Sequence, residues 1–284
     1  MTSQLDKATG FRALHARPGA FVIPNPWDAG TAKMLARLGY RALATTSAGF
    51  AFSIGRPDAE GAVSRDEALA HARAIVAATD LPVSADLENG FGDAPADCAE
   101  TIRRAAEAGL VGGSIEDATG RPAEPIYALD VAVARIKAAA AAAHALPFPF
   151  TLTARAENFL HGRRDTADTI RRLQAFAEAG ADVLYAPGLT TRDEIGAVVQ
   201  AVAPKPVNVV MGLSGAGFSV AELAEIGVKR ISLGSAFARA AYGAFLRAAR
   251  EVATAGTFGF AREAVSFAEI NGMFRQNGNT RATK

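Results

Sequence analysis

The stretch "EAGADVLYAPG", Glu178–Gly188, ends one element and begins another. Glu-Ala-Gly has the form of a helix C-terminus, where glycine takes the left-handed turn that releases the chain. Asp-Val-Leu-Tyr-Ala has the form of a strand covered on both faces, being apolar on successive residues rather than alternate ones. The same join recurs in "RLGYRAL" (Arg37–Leu43) and "EAGLVGG" (Glu107–Gly113), with "EIGVKRI" (Glu225–Ile231) as a close variant. A repeated helix-to-strand join predicts alternating helices and parallel strands.

Working outward, eight strand-like runs appear: Ala20–Asn25, Arg41–Ser47, Pro82–Glu88, Gly112–Asp117, Pro149–Glu157, Asp182–Gly188, Pro206–Gly212 and Arg230–Ser235. Helical spacing of apolar residues marks Asp28–Tyr40, with Asp28 as N-cap, and also Ser64–Thr79, Ala94–Gly109 and Asp165–Gly180. Eight such units predict an α/β fold, a (β/α)8 TIM-type barrel. An open doubly wound sheet would want a glycine-rich phosphate turn after its first strand. That turn is "NPWDAG" here, which is not one. No linker divides the chain. Residues 1–245 are expected to form the barrel and 246–284 a helical extension of the same domain, ending in a frayed tail, "RQNGNTRATK".

The bulk composition excludes several classes of function. A net charge of +1 over 284 residues carries no nucleic-acid or membrane-surface footprint. No apolar run reaches the length of a membrane span, and the N-terminus lacks a signal-peptide core. One cysteine, Cys98, forms no intrachain disulfide framework. A soluble cytoplasmic protein is expected.

Chemistry in such a barrel sits at the C-terminal ends of the strands. The third strand ends in "SADLENGFG", with Asp86 and Glu88, and the fourth in "GGSIED", with Glu116 and Asp117; Arg155 and Glu157 follow on the fifth. A lone strand-end acid is often a helix cap or a loop ion pair, and Asp117 reads as structural. Three acids in one mouth are different, because carboxylates about 4 Å apart repel by roughly 4 kcal/mol per pair at an effective dielectric near 20. Asp86, Glu88 and Glu116 therefore call for a cation, and oxygen donors without Cys or His favour Mg²⁺ or Mn²⁺. No Lys falls at a strand end for Schiff-base chemistry, and no nucleophile-elbow motif serves a Ser-His-acid triad. His161, after strand five, is the one histidine near the mouth, as a loop contact or a proton carrier. "GLSGAGF" (Gly212–Phe218) follows strand seven, where many barrels bind phosphate, but glycine-rich loops are too common to assign one.

From about Ile23 to Phe245 the chain resembles the isocitrate lyase/phosphoenolpyruvate mutase superfamily. The resemblance rests on "NPWDAGTAKMLARLGYRALATTSAGFAFSIGRPD", "SADLENGFG", "GGSIED", "TARAEN" and "EAGADVLYAPG", in that order. It implies a Mg²⁺-dependent enzyme that makes or breaks a C–C bond beside a small α-keto or 2-hydroxy acid through a metal-stabilised enolate, of lyase or decarboxylase type. It implies Asp86 as metal anchor, with Glu88 and Glu116 acting through the metal's waters. Arg155 would hold the substrate carboxylate, and Ser47 with the backbone of Ala48 and Gly49 its other oxygens. Asp58 matches an active-site acid and Asn208 a polar substrate-side position. A homotetramer, a dimer of dimers with a terminal helix swapped between subunits, is the expected assembly.

The chain departs from the family pattern after strand four. There "ATGRPAEPIYAL" (Ala118–Leu129) holds no Cys, Lys, Asn or His, whereas the family's lyases carry a loop Cys as acid/base and its mutases a Lys and Asn. Glu stands at 88 and 157 where Asp is common, and Ala at 48 where Gly is frequent. C–P chemistry on a phosphonopyruvate-like substrate, or a ligand-binding homologue without catalysis, are the alternative expectations.

Overall fold

The computed structural model describes residues 2–212 and 217–275. Eight strands run β1 Phe21–Ile23, β2 Leu43–Ala44, β3 Val83–Asp86, β4 Gly112–Glu116, β5 Thr151–Arg155, β6 Val183–Tyr185, β7 Val207–Val210 and β8 Arg230–Ser232. Every ladder is parallel, in the order β1-β8-β7-β6-β5-β4-β3-β2. The seam between β1 and β2 closes where Ala44 N–H donates to Pro24 O (3.1 Å). This is the expected (β/α)8 barrel.

The glycine joins do what the repeat predicts. Gly39, Gly109, Gly180 and Gly227 all have φ between 86° and 107°, the left-handed region that turns helix into strand. The helices before them are α2 Ala29–Arg37, α5 Pro95–Glu107, α7 Thr166–Glu178 and α9 Val220–Ile226. Around them lie α4 Arg65–Ala77, α6 Leu129–His144 and α8 Arg192–Val202. Asp28 caps α2 as expected, accepting from Thr31 N–H at 2.6 Å.

Two elements depart from the sequence reading. The second strand is shorter than Arg41–Ser47, because Thr46 caps a helix, α3 Ser47–Ser53, that starts at its mouth end. The N-terminus also forms a helix, α1 Gln4–Ala16, held by a Ser3/Asp6 capping box. Ala8, Phe11 and Leu14 of α1 pack on Ile23, Ala42 and Val111 and plug the barrel floor. Gly112 on β4 makes room for this plug: a Cβ there would stand 3.0 Å from Phe11 and 2.9 Å from Thr151 O.

After β8 come α10 Ala236–Ala255, a 3₁₀ turn at Gly259–Arg262 and α11 Phe267–Phe274. α10 runs across residue 245, the boundary expected between barrel and extension. α11 folds onto α2 of its own chain, where Arg37 donates to Gly272 O (2.6 Å); the expected swap between subunits is not seen in a single chain. Only Ala238 of α10 is buried, while Phe245, Phe258 and Phe267 are 66%, 67% and 87% exposed. The tail residues 276–284 and most of the loop after β7 (213–216) lie outside the described residues.

Candidate active site

Parallel pairing brings Asp86 on β3, Ser114 and Glu116 on β4 and Arg155 on β5 side by side at the mouth. Arg155 binds three acids at once: Nη1 donates to Asp86 Oδ1 (2.9 Å) and meets Glu116 Oε2 (3.2 Å), and Nε donates to Glu157 Oε1 (2.8 Å). Glu88 follows with a backbone φ of +48°. That conformation costs a residue with a Cβ roughly 1–2 kcal/mol. Leu87, buried beside it, is seated against Gly113, where a Cβ would fall 2.6 Å from Leu87 Cδ1. The second glycine of "GGSIED" thus sets the turn that presents Glu88.

The acids outnumber the cation, and their proton affinities record it. Burial, then the charges of Asp86 and Asp58, push the Glu88 carboxyl up to about 8. Burial raises Glu116 well above the carboxylate range, with Glu157, Asp86 and Glu88 adding to it against the pull of Arg155. Asp58 is raised by burial and by Asp86. Burial would discharge Arg155, but Glu157, Glu116 and Asp86 outweigh it and hold the guanidinium charged. Among the described residues no three Asp, Glu, His or Cys side chains converge at metal-ligating spacing. The donor set, all hard oxygen, fits an ion such as Mg²⁺ that touches one or two carboxylates and keeps its waters.

Two connected cavities open here. The outer one, about 840 Å³, is lined by Glu88, Glu116, Glu157, Asp58, His161 and the Ala118–Gly120 segment, among others. The inner one, about 170 Å³, runs down the barrel past Ser47, Ala48, Asp86, Arg155, Asn208 and Arg230. Asp58, Ser47 and Arg155 border both. Ser47 Oγ donates to Asp86 Oδ2 (2.9 Å). Gly49 does not line either cavity; its N–H donates to Thr46 Oγ1 (3.2 Å), and a Cβ there would strike Thr46 Cγ2 at 2.5 Å. Asn208 is buried between strands, donating to Ser232 Oγ (3.0 Å) and accepting from Arg230 Nε (2.8 Å). Asp117 is structural, paired with Arg172 of α7 (3.1 Å) and accepting Glu157 N–H (2.8 Å).

The segment after β4 is a pinned hairpin. Ala118 and Ile126 form a bridge, Thr119 N–H donates to Pro125 O (2.9 Å), and Arg121 and Tyr127 both bind Asp93. It sets no thiol, amine or imidazole over the mouth. Asn25, a polar residue at the end of the first strand run, ties Thr45 O to the N–H groups of Leu233 and Gly234; two residues were not singled out by the sequence, Tyr185, whose ring lies 5.1 Å from the Arg155 guanidinium, and Arg230, buried in the inner cavity. Tyr185 ends an otherwise apolar strand, and that isolated polarity was the available signal.

Residues 11–253 match the family model described as Phosphoenolpyruvate phosphomutase. The structure is similar, at TM-score 0.93 and 65% identity, to a candidate lyase/mutase from Burkholderia cenocepacia J2315, over 96% of this chain and 97% of that one. The uncharacterized protein Rv1998c of Mycobacterium tuberculosis is 34% identical over 85% of this chain and 88% of its own. The 2-methylisocitrate lyase of Escherichia coli K12 is 31% identical, but the match spans 63% of this chain and only 62% of that enzyme. With the barrel, the mouth acids and the family match in agreement, the chain belongs to the phosphoenolpyruvate mutase/isocitrate lyase superfamily.

Proposed function

We propose that this chain is a divalent-metal-dependent enzyme that breaks or makes a C–C bond next to a small α-keto or 2-hydroxy acid. The observation that carries the reading is the gathering of Asp58, Asp86, Glu88, Glu116 and Glu157 around the single guanidinium of Arg155. Asp86 would hold the ion, with Glu88 and Glu116 behind its waters. Bound there, Mg²⁺ or Mn²⁺ would supply Lewis-acid polarisation of the keto oxygen.

The chain's own residues do the remainder. Ser47 and Ala48 line the wall opposite Arg155 and orient the acid's oxygens, with Gly49 shaping the helix start that carries them. Arg155 and Asn208 border the substrate from β5 and β7. Asp58, whose carboxyl is raised above its ordinary value by burial and by Asp86, is the group best suited to move a proton, with His161 at the outer rim as the second. The pinned hairpin after β4 brings no acid to the far face of a bulky substrate, which favours an oxaloacetate-sized compound over a tricarboxylate. The family model's own description keeps C–P chemistry on a phosphonopyruvate-like substrate as the second reading.

The test has two parts. Mg²⁺ added to metal-free protein should raise Tm, and Asp86→Ala should abolish the rise; equal responses would remove the metal. Oxaloacetate, 2,3-dimethylmalate, 2-methylisocitrate and phosphonopyruvate should then be screened with Mg²⁺ for pyruvate and oxalate release. No turnover of any would leave a ligand-binding homologue.

A further inference from the structure

Arg230 enters the inner cavity from the lower end of β8 and is 6% exposed. Its Nε donates to Asn208 Oδ1 (2.8 Å) and its Nη2 to Thr153 Oγ1 (2.9 Å), both neutral partners. Its Nη1 is buried with no partner among the described residues. Arg155 is the opposite case, a guanidinium already neutralised by three carboxylates. The two are close along β5: Thr153, which holds Arg230, lies two residues below Arg155 on the same face, about 6.6 Å down the strand. A buried cation with no counter-charge carries a penalty of several kcal/mol, roughly. A fold does not need that penalty, since this floor position could be apolar as in most such barrels.

We propose that Arg230 is the substrate's second anchor, its guanidinium, which lines the inner cavity and is held by neutral partners, taking a carboxylate at the floor while the reacting end stays at the acid rim. The assignment rests on the reading above that the site takes a small keto or hydroxy acid. It makes Arg230 the residue that selects two-headed acids over monocarboxylates. It also shifts the carboxylate-holding role expected of Arg155, whose donors are largely spent on Asp86, Glu116 and Glu157. The cavity's size agrees: about 170 Å³ is the liquid volume of five or six waters, roughly, and bonded atoms pack more tightly than separate waters. A three- or four-carbon diacid fits within it, and a larger acid would extend into the outer cavity.

The experiment uses thermal shifts of the full chain with malonate and propionate as unreactive probes, with and without Mg²⁺. Wild type should gain Tm with malonate and at least tenfold less apparent affinity for propionate. Arg230→Met should melt at or above wild type without ligand, keep any Mg²⁺ response and lose the malonate response. Arg230→Lys, keeping charge but not the fork, should bind malonate at least tenfold more weakly than wild type. Equal wild-type responses to the two acids, or an undiminished malonate response in either variant, would overturn the assignment. If Arg230→Met does not fold, the wild-type comparison and Arg230→Lys decide. Turnover without a malonate preference would reject Arg230 and leave the enzyme; a malonate preference without turnover or Mg²⁺ response would do the reverse.

Discussion

Replacing Arg155 by Gln removes the charge that Asp86, Glu116 and Glu157 share while leaving a side chain of similar reach. All four groups are mostly buried, with side-chain exposures of 13% for the arginine and 4–18% for the acids. Breaking a buried ion pair from one side typically costs about 3–5 kcal/mol. At about 2.1 cal/mol/K per residue, a chain of 284 residues has an unfolding entropy near 0.6 kcal/mol/K, so Tm should fall by about 5–8 °C. The loss should depend on pH in a defined sense. Without the guanidinium the acids relieve their repulsion by taking protons, which the folded state then binds above the usual carboxylate range. The gap between variant and wild type should therefore narrow as pH falls from 8 toward 5. Arg155→Lys should lie between the two. The assay is urea unfolding at several pH values, compared at equal m. A loss under about 1 kcal/mol at neutral pH, the range of a surface pair, would mean the acids are solvated or already neutral. The case for a cation in the mouth would fall with it.

Three further outcomes follow from other parts of the molecule. The exposed Phe245, Phe258 and Phe267 on the C-terminal elements should be covered in a homo-oligomer, a dimer of dimers, so light scattering at micromolar concentration should give a multiple of the chain mass; a monomer would refute this. Cys98 is fully buried on α5 with its Sγ toward Asn89 O, so Cys98→Ser should leave activity unchanged, and 2-methylisocitrate cleavage should be slower by roughly 10²–10⁴ than a loop acid would allow; robust cleavage of that substrate would contradict it. His15 is held at about 3, below its ordinary 6.5, by burial and then by Arg230 and Lys229. The unfolded chain takes that proton first, so its contribution is complete above pH 6.5 and falls toward pH 3, by about 1.4 kcal/mol per pH unit. His15→Phe should flatten the Tm profile across that window; a parallel profile would refute the assignment.

The fold was legible because it is written locally and eight times. Each Gly at a helix end solves the same backbone problem, and each following run of apolar residues solves the same burial problem. What escaped depends on one long-range contact each. α1 reads as a polar N-terminal segment until Phe11 meets the space over Gly112. The mouth acids were legible because parallel register puts strand ends together, and strand ends can be counted. That Gly49 serves Thr46 rather than a cavity could not be counted, since it depends on how α3 caps. Arg230 looked like the ordinary polar start of a strand. Only the alternation of β8, inward at Arg230 and Ser232, with Thr153 and Asn208 facing it, turns that start into the floor of the cavity.

The vertical order of charge then carries a consequence of its own. The rim is acidic in excess and the floor is cationic without a counter-charge, along one axis within the same cavity. A dianion entering the bare protein gains at Arg230 and loses at the rim, where its upper carboxylate faces Asp86 and Asp58. At about 4 Å and an effective dielectric near 20, each such like-charge contact is worth roughly 4 kcal/mol, as much as the floor contact returns. Binding should therefore be weak until the rim is neutralised, by protons at low pH or by a divalent ion at neutral pH. Because coupling between two ligands is reciprocal, a diacid should in turn tighten Mg²⁺ binding by the factor with which Mg²⁺ tightens the diacid. A monocarboxylate held only at the floor would show no such coupling. Titrating malonate at fixed Mg²⁺ levels, and Mg²⁺ at fixed malonate levels, measures that factor from both sides; independent binding would mean that rim and floor do not share a ligand.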